Sequence, residues 1–297
     1  TVTAFGYDNL RRPQSLKVTT LGGSTDGAVR SITRGYDSLG RLYKITSHGN
    51  QTDDPDNTTD IKNQIVYTFN DLGKLFKSEQ SHSGAVGGST PSVQYIYDTS
   101  AVSSVFDDGA RMESVIYPDG RVVFSDYGTS DALEDRAGIV KRLRETNSSG
   151  SILAEYSHSG SGDTVLTDYQ QPDLKLDLFG GTTSTYVGLD RFGQTVDHHW
   201  YDYTSGTIDR ARYSYGYDFN GSSTWKEDSV SAANSVNQDE IYTYNGLKLL
   251  KAADRGDLNG GRTAMSMLTF GQDWSQDQLA NWSNFTQDGD GNGINDL

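Results

Sequence analysis

The stretch RGYDSLGRLYKITS, residues 34–47, decides how this chain folds. Tyr36 reads as the last residue of a strand. Asp37 is placed to accept backbone N–H bonds across a turn, as an Asx motif does. Gly40 supplies the positive-φ position that closes a short hairpin loop. Arg41 opens the return strand within reach of Asp37. From there Arg41, Tyr43 and Ile45 share one face, and Leu42, Lys44 and Thr46 share the other, the period of a strand. The residues Tyr36, Asp37, Gly40, Arg41 and Leu42 are therefore expected to bend the backbone and to carry out no reaction.

Weakened copies of the stretch run along the sequence. GYDNLRRPQSLKVTT carries Tyr7 and Asp8. FNDLGKLFKSEQS puts Phe69 and Asn70 in place of Tyr-Asp and keeps Gly73, Lys74 and Leu75. GLDRFGQTVDHH offers Leu189, Asp190 and Gly193, and YTYNGLKLLKAADRG offers Tyr244, Asn245, Gly246 and Leu247. YPDGRVVFSDYG adds a turn at Asp119-Gly120. The first three starts lie 29 and 33 residues apart, the slippage expected of fixed hairpins joined by variable loops. NQIVYTF repeats the alternation, with Ile65, Tyr67 and Phe69 on one face. Helical period is scarce. Its best candidate, DALEDRAGIVKRLRET (131–146, N-cap Asp131), is weakened by Gly138, and IVKRLRET reads better as a strand after a turn. The polar stretches 47–60 and 81–92 read as loops.

Bulk composition agrees with thin sheets. Leu, Ile, Val and Phe make up roughly 20% of the chain, close to the level at which a core becomes hard to build. Eighteen Tyr compensate, since each buries a ring and keeps its hydroxyl wet. A net charge of -15 and a pI near 4.6 disfavour nucleic acid and anionic membranes. No apolar run is long enough to span a bilayer as a helix. The opening TVTAFGYDNL lacks the basic start and apolar core of a signal peptide and has no initiator Met, as expected of a processed or excised piece. With no Cys, stability must come from pairing and packing.

Tyr-Asp-x-x-Gly-Arg-Leu, complete at 36–42 and partial at 7–16, 69–75, 189–196 and 244–250, resembles the repeat of the YD-repeat (Rhs repeat) family. The closing FGQDWSQDQLANWSNFTQDGDGNGINDL looks like a tail found in long YD-repeat proteins of environmental bacteria. The resemblance implies an all-β fold: a curved or spiral antiparallel sheet of stacked hairpins around a hollow. It divides the chain into a repeat domain at 1–272 and an aromatic, then acidic and Gly-rich, segment at 273–297. In toxin members of the family the shell encloses a toxin; in animal teneurins it belongs to an adhesion receptor. The one Asp-Pro, Asp54-Pro55, sits in a polar loop and is no self-cleavage motif. The leading expectation is a non-enzymatic extracellular or cell-surface structural protein that pairs with itself head-to-tail through exposed strand edges into a filament, sheath or shell. The alternatives are an adhesion module binding glycans or a receptor, and a fragment of a toxin-encapsulating shell.

Few residues suggest chemistry. DGDGNGIND, residues 288–296, places Asp288, Asp290, Asn292 and Asp296 at positions 1, 3, 5 and 9 of a calcium-loop spacing, with Gly293 at the turn. It resembles thrombospondin type 3 or dockerin loops, without the acidic residue at position 12. His48, His82 and His158 are expected in Ser/Gly-rich loops, and His198 and His199 on opposite faces of one strand. The carboxylates Asp53-Asp54, Asp107-Asp108, Asp173 and Asp177 sit beside turn formers. FGGTTS precedes no helix that would cradle phosphate. Tyr213, Tyr215, Tyr217 and Phe219 alternate as an aromatic ladder, read as cross-strand packing before sugar binding.

Overall fold

The computed structural model describes residues 1–97, 111–129, 132–179 and 187–297. Every pairing between its strands is antiparallel, so the all-β expectation holds. The chain divides into two compact units, Thr1–Ile152 and Leu153–Leu297.

In the first unit the strands follow the chain in order. They are β1 (Val2–Tyr7), β2 (Pro13–Thr20), β3 (Ser31–Tyr36), β4 (Leu42–His48), β5 (Ile61–Phe69), β6 (Leu75–Ser81), β7 (Ser92–Tyr97), β8 (Met112–Ile116), β9 (Val122–Asp126) and β10 (Arg142–Glu145). Each pairs with the next, from β1–β2 through to β9–β10. Strands ending at Tyr7, Tyr36 and Phe69 all slip register by one residue just before that aromatic, where the turn begins.

The two faces of this sheet differ. One carries Ser15, Ser31, Thr33, Thr46 and His48, all 2% exposed or less. They are buried because the segment after β4 folds back over them. Asp53 accepts from Ser15 Oγ at 2.5 Å and pairs with Lys17, and Asp56 pairs with Lys44 at 2.6 Å. Ser31 Oγ donates to the Asn50 carbonyl at 2.8 Å. Thr33 Oγ1 and His48 Nε2 lie 3.0 Å apart. Small hydroxyl side chains suit this face because each finds a partner, and a buried polar group without one is costly. The opposite face mixes polar residues such as Arg34 and Ser47 with half-buried apolar cross-strand pairs such as Leu16–Ile32 and Ile45–Ile65. Such pairs contribute about 0.2–1 kcal/mol each.

The loop placement of two histidines needs correction. His48 is the last residue of β4 and fully buried, and His158 likewise ends a strand (Ile152–His158); local composition gave no sign of the segment that covers His48. In the 131–146 stretch the long helix does not form and the strand after a turn does: a single helical turn, α1 (Leu133–Ala137), stopped by Gly138 at φ 65°, precedes β10. Ala132 stands at the N-cap without a side-chain bond; Asp131 lies outside the described residues. The helix is held by Arg111, whose Nη1 meets Asp135 Oδ1 at 2.7 Å with both side chains nearly buried.

The second unit runs β11 (Ile152–His158), β12 (Thr164–Tyr169), β13 (Leu174–Asp177), β14 (Asp197–Asp202), β15 (Ile208–Tyr217) and β16 (Ser223–Asp228). After a helical turn, α2 (Ser229–Ala233), come β17 (Asp239–Tyr244), β18 (Leu250–Leu258), β19 (Met265–Gln276) and β20 (Trp282–Asp288). Neighbours in sequence again pair from β11 to β20. Position 272/273 falls inside β19, whose Trp274 pairs with Phe285 of β20. Ala154, Val165 and Leu178 are the buried hydrophobic residues among those described. Asp228 caps α2 through Ser231 N, and its own N–H donates to buried Asp239 at 2.8 Å.

Candidate functional site

The turn motif is built the same way at each copy. At 36–42 the Asp37 N–H donates to the Arg41 carbonyl and Gly40 N–H to the Asp37 carbonyl, both at 2.9 Å. Asp37 Oδ1 accepts from the N–H groups of Leu39 and Arg41 at 3.0 and 2.8 Å, and Oδ2 takes Arg41 Nε at 2.7 Å. Gly40 sits at φ 83°, and Gly73, Gly193 and Gly221 sit near it at 79°, 79° and 82°. Asp8, Asn70, Asp190, Asp218, Asn245 and Asp277 each accept the same pair of N–H bonds, from the second and fourth residues on. Leu42 is the first residue of β4, where the return strand begins.

Across hairpins the motif does something its own spacing does not show. Tyr36 Oη donates to the Pro13 carbonyl at 2.8 Å, Tyr97 to Leu75 at 3.1 Å, Tyr217 to Thr195 at 2.8 Å and Tyr244 to Ser223 at 2.7 Å. Each acceptor stands five residues after the Asp or Asn that heads the preceding turn. At the first-unit copies the fourth residue after the turn head covers the ring of the next hairpin. The Arg12 guanidinium lies 4.2 Å from the Tyr36 centroid, Arg41 4.3 Å from Phe69, and Lys74 Nζ 5.1 Å from Tyr97. The tyrosine is thus a joint: it ends its own strand and fastens it to the hairpin before. Such a cation–π contact is worth about 0.5–1 kcal/mol at exposed sites.

The described carboxylates beside turn formers, Asp53, Asp54, Asp173 and Asp177, bond to their own surroundings. Asp53 is bound as described, and Asp54 Oδ1 accepts from Asp56 N at 2.9 Å. Asp177 Oδ1 accepts from Phe179 N at 2.7 Å, and Asp173 Oδ2 from Thr204 Oγ1 at 3.3 Å. Asp107, Asp108 and residues 180–184 of FGGTTS lie outside the described residues. His198 stacks on Tyr213 and His199 meets Asp209 at 2.6 Å. Phe219 leaves the aromatic ladder for the turn and is fully exposed. Tyr203 donates to Asp168, and burial together with that bond pushes its hydroxyl up to about 12.

At the C-terminal loop, carboxylate oxygens of Asp288, Asp290 and Asp296 come within 4.8 Å of one another. Gly291 and Gly293 N–H groups donate to the two oxygens of Asp288 at 2.8 and 2.7 Å, and Gly289 N–H to Asp296 at 2.7 Å. Desolvation works against the Asp288 charge, but these N–H groups outweigh it and hold the carboxyl below its ordinary range. Asn292 gives its amide N–H to Asp290 and accepts from Ile294 N–H, bracing the loop. Three hard oxygen donors in such a cluster are able to hold a metal ion.

No protein-family model matches the sequence, and no curated protein matches it. Solved structures do. The crystal structure of TcdB2-TccC3 aligns with 99% of this chain at TM-score 0.51 and 14% identity, and that of TcdB2-TccC3-Cdc42 gives the same three values. The Tc holotoxin pore of Photorhabdus luminescens aligns with 96% at TM-score 0.49 and 13% identity. This chain spans 15–16% of the length of those chains. The likeness is one of fold, and it supports an Rhs-type fold. No helix among the described residues is long and apolar enough to cross a membrane.

Proposed function

We propose that this chain is a non-enzymatic wall segment of an Rhs-type shell that encloses a polypeptide cargo, within a larger exported or cell-surface protein. The observation that carries the reading is the joint. It ties Tyr36, Tyr97, Tyr217 and Tyr244 each to the hairpin before, while the Asp or Asn heading the turn is spent on bending the chain, which is the work of a wall segment. The likeness in fold to TcdB2-TccC3 supports the enclosing role over a free-standing filament. Head-to-tail pairing through strand edges has weaker support, because the joints run from hairpin to hairpin within the chain and need no second copy.

Protease protection of the natural protein tests this. Treated with trypsin under native conditions, it is expected to retain an intact enclosed polypeptide that is digested once the wall is denatured. Complete digestion of everything outside the repeats, or particles that lengthen with concentration, would favour the filament instead.

For the C-terminal loop the proposed ligand is a hard divalent cation, calcium first, held by Asp288, Asp290 and Asp296 with carbonyls and water completing the six to eight oxygens it takes. Tb³⁺ luminescence sensitised by Trp274, three residues along β19 from the partner of Asp288, and displaced by Ca²⁺ is the expected result, lost in Asp296→Asn. No luminescence at millimolar Tb³⁺ would remove the assignment.

A further inference from the structure

Five copies of the turn are headed by Asp; in four of them a cation or an amide meets the second carboxylate oxygen, and in the fifth none of the described residues does. At Asp8 the second carboxylate oxygen receives Arg12 Nε at 2.6 Å, and at Asp37 it receives Arg41 Nε at 2.7 Å. Both guanidinium groups then cover the aromatic ring of the next hairpin. At Asp218 the second oxygen faces Lys248 Nζ at 3.2 Å, and at Asp277 the Asn281 amide at 3.1 Å. At Asp190 the corresponding residue is Gln194. Oδ1 accepts from the N–H groups of Phe192 and Gln194 at 2.8 and 2.9 Å, and no described residue reaches Oδ2. The Gln194 side chain follows the path of Arg12. A Cβ added at Gly221 would lie 3.0 Å from Gln194 Nε2, as one at Gly40 would lie 3.1 Å from Arg12 Nη1. A neutral amide thus takes the path that a guanidinium takes at Arg12 and Arg41.

An open cavity of about 710 Å³ adjoins this uncompensated carboxylate, lined among others by Gln194, Tyr215, Tyr217 and Phe219. Arg191 also borders it but stacks 4.7 Å over Phe192 and forms no ion pair among the described residues. We propose that this cavity binds a guanidinium group, presented as an arginine side chain of a partner polypeptide. Asp190 supplies the charge and, once the flexible Gln194 amide is displaced, the Tyr217 ring supplies the stacking face, as Asp8 and Tyr36 do for Arg12. The cavity is far larger than a guanidinium. Phe192, 73% exposed, and the fully exposed Phe219 flank it, which suits the apolar neighbours of an arginine in a peptide.

The test is a titration of ¹⁵N-labelled protein with N-acetyl-arginine N-methylamide at low salt. Saturable shifts at the Phe192, Gly193 and Tyr217 amides are expected, with a dissociation constant on the order of millimolar. The isosteric citrulline derivative should bind at least ~10-fold more weakly, since it keeps shape and loses charge. Asp190→Asn should weaken binding similarly while keeping the turn, because Asn heads the turns at 70 and 245. Gln194→Arg rebuilds the internal cation and is expected to close the site while raising the melting temperature. A peptide with arginine between two leucines should bind more tightly than guanidinium chloride. Equal binding of the citrulline derivative, undiminished binding by Gln194→Arg, loss of binding in Arg191→Ala, or tighter binding of free guanidinium would each overturn the proposal.

Discussion

At Gly40 the backbone stands at φ 83°, where a Cβ costs about 1–2 kcal/mol. Gly40→Ala is accordingly expected to lower stability by about that amount in urea unfolding. The converse holds at the equivalent position of the turn headed by Asp277, which is filled by Ala280 at φ 64°. Ala280→Gly should raise stability by up to about 1 kcal/mol, the relieved strain being partly offset by added freedom in the unfolded chain. At Asp37, desolvation opposes the charge, yet hydrogen bonds from Arg41 and Leu39 and the Arg41 charge outweigh it and hold the carboxyl low. This scale was the most legible in the sequence. Turn chemistry is local, so Tyr-Asp-x-x-Gly-Arg states its own geometry, and the tolerance of Asn70 and Asn245 follows from the same side-chain oxygen.

Between elements, the joint predicts effects that cross from one hairpin to the next. Tyr36→Phe removes the bond to the Pro13 carbonyl and should cost about 0.5–1.5 kcal/mol. Phe69 already covers the place of a tyrosine under Arg41 but has no hydroxyl. Phe69→Tyr should gain up to about 1 kcal/mol by reaching the Leu42 carbonyl. A double-mutant cycle of Arg12→Ala and Tyr36→Leu should show a coupling of about 0.5–1 kcal/mol, against near-additivity if the two residues act apart. None of this was legible beforehand. The sequence shows which residues recur, but which recurring residues touch depends on hairpins lying side by side. The burial of His48 and the length of α1 escaped for related reasons: the first is covered by a segment folding back from outside its own strand, and the second is cut to five residues and fixed by Arg111 from far along the chain.

For the whole molecule, charge rather than an apolar core sets the response to acid. Arg210 and Thr204 hold the Asp202 carboxyl at about 2, and the N–H groups of Ser222 and Asn220 hold Asp218 at about 2. Unfolded, both titrate near ~4. A lowered folded value contributes stability that is complete above ~4 and is lost as pH falls toward about 2. Asp254, raised by burial and then by the charges of Asp273 and Asp288, works in the opposite sense: its contribution is present at low pH and lost as pH rises. The lowered carboxyls are the more numerous, so melting temperature at constant ionic strength should drop between pH ~4 and ~2. A melting temperature that holds or rises over that interval would count against the assignment. The sheet and its repeat were visible in the alternation and the recurring turns; the inversion of its faces was not, since small hydroxyl residues read as surface until a polar segment is seen to cover them. The enclosing role is tested most directly by electron cryomicroscopy of the natural protein that carries this sequence. The account predicts a wall of successive hairpins, joined ring-to-guanidinium at the Tyr-Asp turns, with polypeptide density on its inner side. Hairpins packed into a solid domain, with Tyr36, Asp37 and Arg41 lining a ligand-bearing cleft, would contradict it.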